Sequence, residues 1–168
     1  MLEAVANYFE SNCFSWRANK IKKNSPTESS SSQNTFNRKY CVVCKLGSGG
    51  YGTVFLVARR SDGKQFAAKI VPKERCRRTS WCSRRQLDIP DEVHIWEGLS
   101  HENIVRLEEC FLERGHWIIL TEYHEGFQDL FDYNAGKEAE LTELEVKIIV
   151  RQVATACLSL RDSGIDHR

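Results

Sequence analysis

The sequence predicts an α+β fold in which an antiparallel sheet precedes a helical part. Three observations carry this. Apolar runs at 40–46, 53–57 and 66–71 are separated by a glycine-rich stretch and by a Ser61-Asp62-Gly63 turn, the pattern of strand, loop, strand, hairpin and strand. Residues 110–112, a Glu113-Arg114-Gly115 turn and the apolar run after His116 read as a second hairpin. Val146, Ile149, Val150, Val153, Ala154, Cys157 and Leu158 then recur at helical spacing behind a Thr142-x-x-Glu145 capping box, which predicts a long core helix closed by Gly164.

Ahead of the sheet the chain is of another kind. Leu2, Val5, Ala6, Phe9, Cys13 and Trp16 fall on one helical stripe that could dock on the domain or on a partner, and a weakly ordered tail fits the same residues. Residues 24–37 are polar, Ser-rich and broken by Pro26, so 1–39 are expected to be tail and flexible linker, with folding from near Tyr40. No internal repeat is visible. The 168 residues are 41% hydrophobic, ordinary for one globular core with a tail, and 24 Lys and Arg against 23 Asp and Glu give no electrostatic case for nucleic acid. Glu3 and Glu10 interrupt any secretory signal and no stretch reaches transmembrane length, so no membrane association and a cytoplasmic or nuclear location are expected. Seven scattered cysteines, an odd count, point to reduced thiols. Cys41-x-x-Cys44 has no second pair at a matching spacing, and no metal site is expected.

The glycine stretch Gly47-Ser48-Gly49-Gly50-Tyr51-Gly52 carries the chemistry. The same spacing occurs in dinucleotide-binding folds, but those need a helix opening at the loop, and here β-branched and aromatic residues and a tight turn follow. A glycine-rich hairpin remains, able to fold over nucleotide phosphates because backbone N–H groups can approach without a Cβ in the way. Val54 and Ala67 offer small apolar surfaces to a base, and Lys69 a cation to the phosphates; taken alone, Lys69 reads equally as a solvated lysine on an edge strand. Gly47-x-Gly49-x-x-Gly52-x-Val54 followed by Ala67-Ala68-Lys69 resembles the phosphate loop and third-strand lysine of the protein kinases. The resemblance implies ATP, held by Leu46, Gly47, Ser48, Gly49, Gly50, Tyr51, Gly52, Thr53, Val54, Ala67 and Lys69. It also implies a five-stranded antiparallel N-lobe sheet with one regulatory helix over 40–123 and the start of a helical C-lobe over 124–168.

A kinase lysine needs a carboxylate to keep it aimed. Pro90-Asp91-Glu92 opens a helix on which Glu92, Ile95, Trp96 and Leu99 share a face, so Glu92 is the expected partner and Glu97, off that face, the competitor. By resemblance Thr121 is the gatekeeper beside the adenine, and the backbone of Glu122 to His124 makes its edge hydrogen bonds. The runs "RTSWCSRRQLD", "PDEVHIWEGL" and Gln128 to Asp132 are most similar to the Pim-type serine/threonine kinases. That family has proline where this chain has His124, which keeps its N–H. Asp129 and Asp132, three apart on a helix, would by resemblance contact the ATP ribose and an arginine of the protein substrate; a solvated acidic helix end is the plainer reading. Lys73, Arg75, Arg77, Arg78, Arg84 and Arg85 read as a mobile basic insert facing solvent or an acidic partner, and Arg77-Arg78-Thr79-Ser80 resembles a site for arginine-directed kinases.

The final "IDHR" resembles the start of the kinase His-Arg-Asp loop, one residue short of the catalytic aspartate. The expected function is ATP-dependent phosphorylation of protein Ser or Thr near basic residues, by a monomer, with Mg²⁺ needed by the complete kinase. Residues 1–168 alone are expected to be poorly stable and inactive, lacking that aspartate and the Mg²⁺ ligands. The alternative is a short kinase-like product that binds nucleotide or competes for a kinase's partners without catalysis. Such a product has no chemical need for the loop, Lys69 and Glu92 together.

Overall fold

The computed structural model describes residues 35–50, 52–137 and 140–166. The amino-terminal stripe, most of the Ser-rich stretch, Tyr51 and the closing His167 and Arg168 lie outside the described residues. In chain order the elements are α1 (Thr35–Lys39), β1 (Tyr40–Gly49), β2 (Gly52–Arg59), β3 (Gln65–Pro72), a 3₁₀ turn (Lys73–Arg75), β4 (Thr79–Cys82), β5 (Leu87–Pro90), α2 (Asp91–Trp96), β6 (Leu107–Glu113), β7 (His116–Glu122), α3 (Leu130–Ala135) and α4 (Glu143–Asp162). Five strands form one antiparallel sheet in the order β1-β2-β3-β7-β6, and β4 and β5 form a separate hairpin. The expected α+β class with a five-stranded sheet is what the chain adopts.

Local chemistry sets the turns. Between β2 and β3, Gly63 takes φ 75° and the Arg59 guanidinium pairs with Asp62 at 2.7 Å, while Asp62 Oδ1 accepts from the Lys64 amide at 3.0 Å. The Arg59 guanidinium, and after it the Lys64 amide, hold the Asp62 carboxyl at about 2. Strand alternation then divides the core in two. Phe55, Val57, Phe66, Ala68, Ile118 and Leu120 bury on one face with Phe36 and Tyr40. Val71, Trp117 and Ile119 bury on the other, under Cys82 and Ile89 of the hairpin and Val93 of α2.

Three expectations need correction. Residues ahead of Tyr40 belong to the fold: Phe36 is fully buried, stacked on Tyr40 at 5.5 Å and edge-on to Phe111 at 5.7 Å, and its amide donates to Glu113 Oε1 at 2.7 Å. The basic stretch does face solvent, with Lys73, Arg75, Arg77, Arg78 and Arg84 exposed, but it folds as a hairpin on the domain and not as a loose insert. Its hairpin buries Cys82 and Ile89, and Arg85 donates to the Cys110 carbonyl and, at 2.6 Å, to Glu97. The third concerns α4, which forms as a 20-residue helix but buries none of its residues; Val146, Val150, Val153 and Leu158 are all exposed. It meets the sheet domain through Asn103, whose Nδ2 donates to Thr155 Oγ1 at 3.2 Å.

The capping box at the head of α4 is complete. Thr142 Oγ1 accepts from the Glu145 amide at 3.3 Å and Glu145 Oε2 accepts from the Thr142 amide at 2.8 Å. Lys137 beside it, and then the Thr142 bonds, depress the Glu145 carboxyl from 4.5 to about 2. A depressed carboxyl contributes fully above its ordinary value and loses that contribution as pH falls through the folded value. The first turn of α4 is therefore expected to fray as pH falls from 4.5 through about 2, visible in the Glu145 amide shift. Glu145→Gln should remove that pH dependence. Among the described residues no helix is long and apolar enough to cross a membrane.

Candidate functional site

The β1–β2 hairpin ends in glycines with two different jobs. A Cβ at Gly47, Gly49 or Gly50 would meet nothing within 4 Å, so their backbone is open to an approaching group. Gly52 is different: at φ +131° a Cβ there would stand 2.3 Å from the Ile70 carbonyl oxygen of β3. The fold itself requires that glycine. Across the hairpin Gly47 faces Val54, Ser48 faces Thr53 and Gly49 faces Gly52. The tip is also tied from outside, since Arg75 Nη1 donates to the Gly50 carbonyl at 2.8 Å.

Register gathers the remaining side chains. Val54 on β2 lies opposite Lys69 on β3, Lys69 opposite Ile119 on β7, and Ala67 opposite Thr121. Val54, Ala67, Lys69 and Thr121 thus share one face of the sheet, the face opposite the Phe55–Phe66–Leu120 cluster, and all four are half-buried. Leu46 is exposed at the end of the apolar part of β1.

Over that face stands α2. Pro90 starts it, Ser80 Oγ donates to Asp91 Oδ1 at 2.6 Å in its first turn, and Trp96 Nε1 donates to the Val105 carbonyl at 2.7 Å at its end. Held at both ends, the helix brings Glu92 Oε1 to 3.4 Å from Lys69 Nζ. Glu97 is engaged elsewhere, by Arg85. Lys69, Glu92, Gly50 and Arg75 border one cleft of about 820 Å³, with Val71 and Ile119 as its apolar floor. Cys76 also borders it, and burial, with the Glu92 charge second, pushes its thiol above the ordinary range.

Past β7 the chain turns away from the sheet. The Glu122 amide donates to the Arg106 carbonyl at 3.0 Å, its carboxylate accepts from the Arg106 amide at 2.8 Å, and the His124 ring packs 5.0 Å from Phe127. Asp129 caps α3, accepting from the Asp132 amide at 2.8 Å, and both aspartates are exposed on its first turn. Two contributors escape sequence reasoning. Arg75 and Ser80 are submerged in a stretch that reads as basic and solvent-facing, and nothing in their own neighbourhood signals partners 25 and 11 residues away. Ser80 is also the less available of the two hydroxyls in the arginine-directed motif, because Thr79 is exposed while Ser80 is bonded to Asp91.

Residues 40–168 match the family described as protein kinase domain. The chain is 37% identical over 130 residues to serine/threonine-protein kinase PSK1 of Saccharomyces cerevisiae, covering 74% of this chain and 10% of that protein. It is 34% identical over 132 residues to probable serine/threonine-protein kinase fhkE of Dictyostelium discoideum, covering 79% of this chain and 18% of that one. Identity to serine/threonine-protein kinase pim-2 of Danio rerio is 30% over 142 residues, 79% of this chain and 46% of that protein. The chain therefore spans less than half the length of each of these relatives. Since the family match begins at the first strand of the sheet and takes in more than three-quarters of the sequence, the chain belongs to the protein kinase family.

Proposed function

We propose that this chain carries the nucleotide-binding part of an ATP-dependent serine/threonine protein kinase. The observation that carries the reading is the Lys69–Glu92 pair at 3.4 Å, standing on the same cleft as the glycine hairpin tip. A triphosphate needs backbone donors without side chains in the way and a cation fixed in place; Gly47, Gly49 and Gly50 supply the first and Lys69, steadied by Glu92, the second. ATP, when bound, supplies the phosphoryl group to be transferred. Leu46, Val54, Ala67 and Thr121 would enclose its base, with the backbone of Glu122 and His124 at the base edge. The N–H that His124 retains adds a donor there. Ser48, Tyr51 and Thr53 complete the loop over the phosphates, and Asp129 and Asp132 are assigned to the ribose and to a basic residue of the protein substrate. Unpaired thiols at all six described cysteines support a reducing compartment, cytoplasm or nucleus.

On this reading residues 1–168 are assigned nucleotide binding, and phosphoryl transfer is assigned to the whole kinase. The test is transfer of labelled γ-phosphate to an Arg-rich Ser/Thr peptide by the protein expressed from its native transcript, beside nucleotide binding by residues 1–168. Transfer in the first and binding alone in the second is expected. Absence of nucleotide binding in both would overturn the reading, and robust transfer by residues 1–168 would overturn the division of roles.

A further inference from the structure

A second cleft lies on the sheet away from the glycine hairpin, about 660 Å³ in volume, within the ~300–1,000 Å³ of cavities that bury a ligand. Its apolar walls are Leu87 of β5, Phe111 and Leu112 of β6 and Trp117 of β7, and Arg85 and Arg114 also border it. Two features mark it as built for an occupant. Leu112 is 39% exposed on a strand whose neighbouring Cys110 is buried. Trp117 is 1% exposed, yet its indole Nε1 has no hydrogen-bond partner among the described residues.

We propose that this cleft is the docking site of the chain's own amino-terminal segment, residues 2–16. The first reason is where the chain enters. Thr35, the first described residue, is itself a wall of the cleft, so the 34 preceding residues join the fold at its rim. Residues 17–34 reach up to about 60 Å at 3.3–3.6 Å per residue, ample to return residues 2–16 to a site at their own root. A tethered segment also has the advantage of high local concentration over a separate partner.

The second reason is pattern and charge. In helical form Leu2, Val5, Ala6, Phe9, Cys13 and Trp16 make one apolar stripe, with Phe9 and Trp16 as the large anchors for the Leu87, Phe111 and Leu112 walls. Residues 1–16 contain Glu3 and Glu10 and no Lys or Arg, and two guanidinium groups border the cleft, Arg114 and the Arg85 that also pairs with Glu97. Occupancy also bears on α2, because Arg85 links the cleft wall at the Cys110 carbonyl to Glu97, one residue past that helix. This inference does not depend on the catalytic reading.

The experiment uses the full chain with a photo-crosslinking residue at position 9, together with hydrogen exchange of the 110–117 amides in Phe9→Asp and Trp16→Asp. An unchanged melting temperature in both variants separates loss of docking from unfolding. Docking predicts adducts within 110–117 and exchange there rising several-fold in both variants. Adducts on the groove between α2 and α4, at Val153 to Leu160, would overturn it, as would adducts only between differently labelled copies or exchange that neither variant moves.

Discussion

Phe36→Ala is expected to cost about 3–5 kcal/mol, the range for truncating a fully buried aromatic side chain. Phe36 is 0% exposed between Tyr40 and Phe111, and it ties α1 to both ends of the sheet, since Tyr40 begins β1 and Phe111 lies on β6. The loss should fall near the upper end, because the site has little means of collapsing onto the cavity. Tyr40 is fixed from its other side by edge contact with Phe66 at 5.7 Å and by its hydroxyl, which donates to Glu109 Oε2 at 2.9 Å. Burial, and next Glu109, raise that hydroxyl well above the ordinary tyrosine value, so it stays a proton donor across the accessible pH range. Against a total stability of about 5–15 kcal/mol for a domain, such a loss is a large fraction of the whole. Urea denaturation should show it as a lower midpoint with little change in slope, and Phe36→Leu should recover most of it. A loss under about 1 kcal/mol would mean that α1 is an ornament on the sheet.

Lys69→Met should lower kcat/KM for peptide phosphorylation by about 10²-fold or more in the active kinase, the cost typical of losing one preorganised charge or of misplacing a reacting group by an ångström. The substitution keeps the length and apolar stem of the side chain, so the sheet should be undisturbed. Only the ammonium disappears from the cleft shared with Glu92. Glu92→Gln should fall in the same direction by a smaller factor, since the lysine keeps its charge and loses its restraint. Glu97→Gln loses the Arg85 bond instead, and is expected to act on stability more than on turnover. Retention of half the wild-type kcat/KM in Lys69→Met would remove Lys69 from the chemistry.

How much of this was legible in the sequence depends on distance along the chain. The two hairpins of the main sheet and the Thr142 cap are written in patterns of two to five residues, and those elements form where the patterns stand. The helical spacing that groups Glu92 with Trp96 is equally local, but the hold of Arg85 on Glu97 is not. Phe36 escapes because a single aromatic in a polar run carries no periodicity, and of the two rings that enclose it Phe111 lies 75 residues away. The β4–β5 hairpin escapes because its strands are four residues long and its apolar Trp81, Cys82, Leu87 and Ile89 are separated by polar and charged residues. With α4 the failure is of another sort. Period 3.6 reports which residues share a face, not whether anything covers that face, and here the stripe is real and uncovered.

The glycine hairpin has a consequence at the level of the gene. Any missense change at Gly52 places a Cβ against the Ile70 carbonyl oxygen, at 2.3 Å, so that codon is constrained by the polypeptide alone. The codons for Gly47, Gly49 and Gly50 meet no such wall. A requirement for glycine at those three positions would have to come from outside the described fold, and the tolerance of the two sets to random substitution separates selection for a shape from selection for something bound.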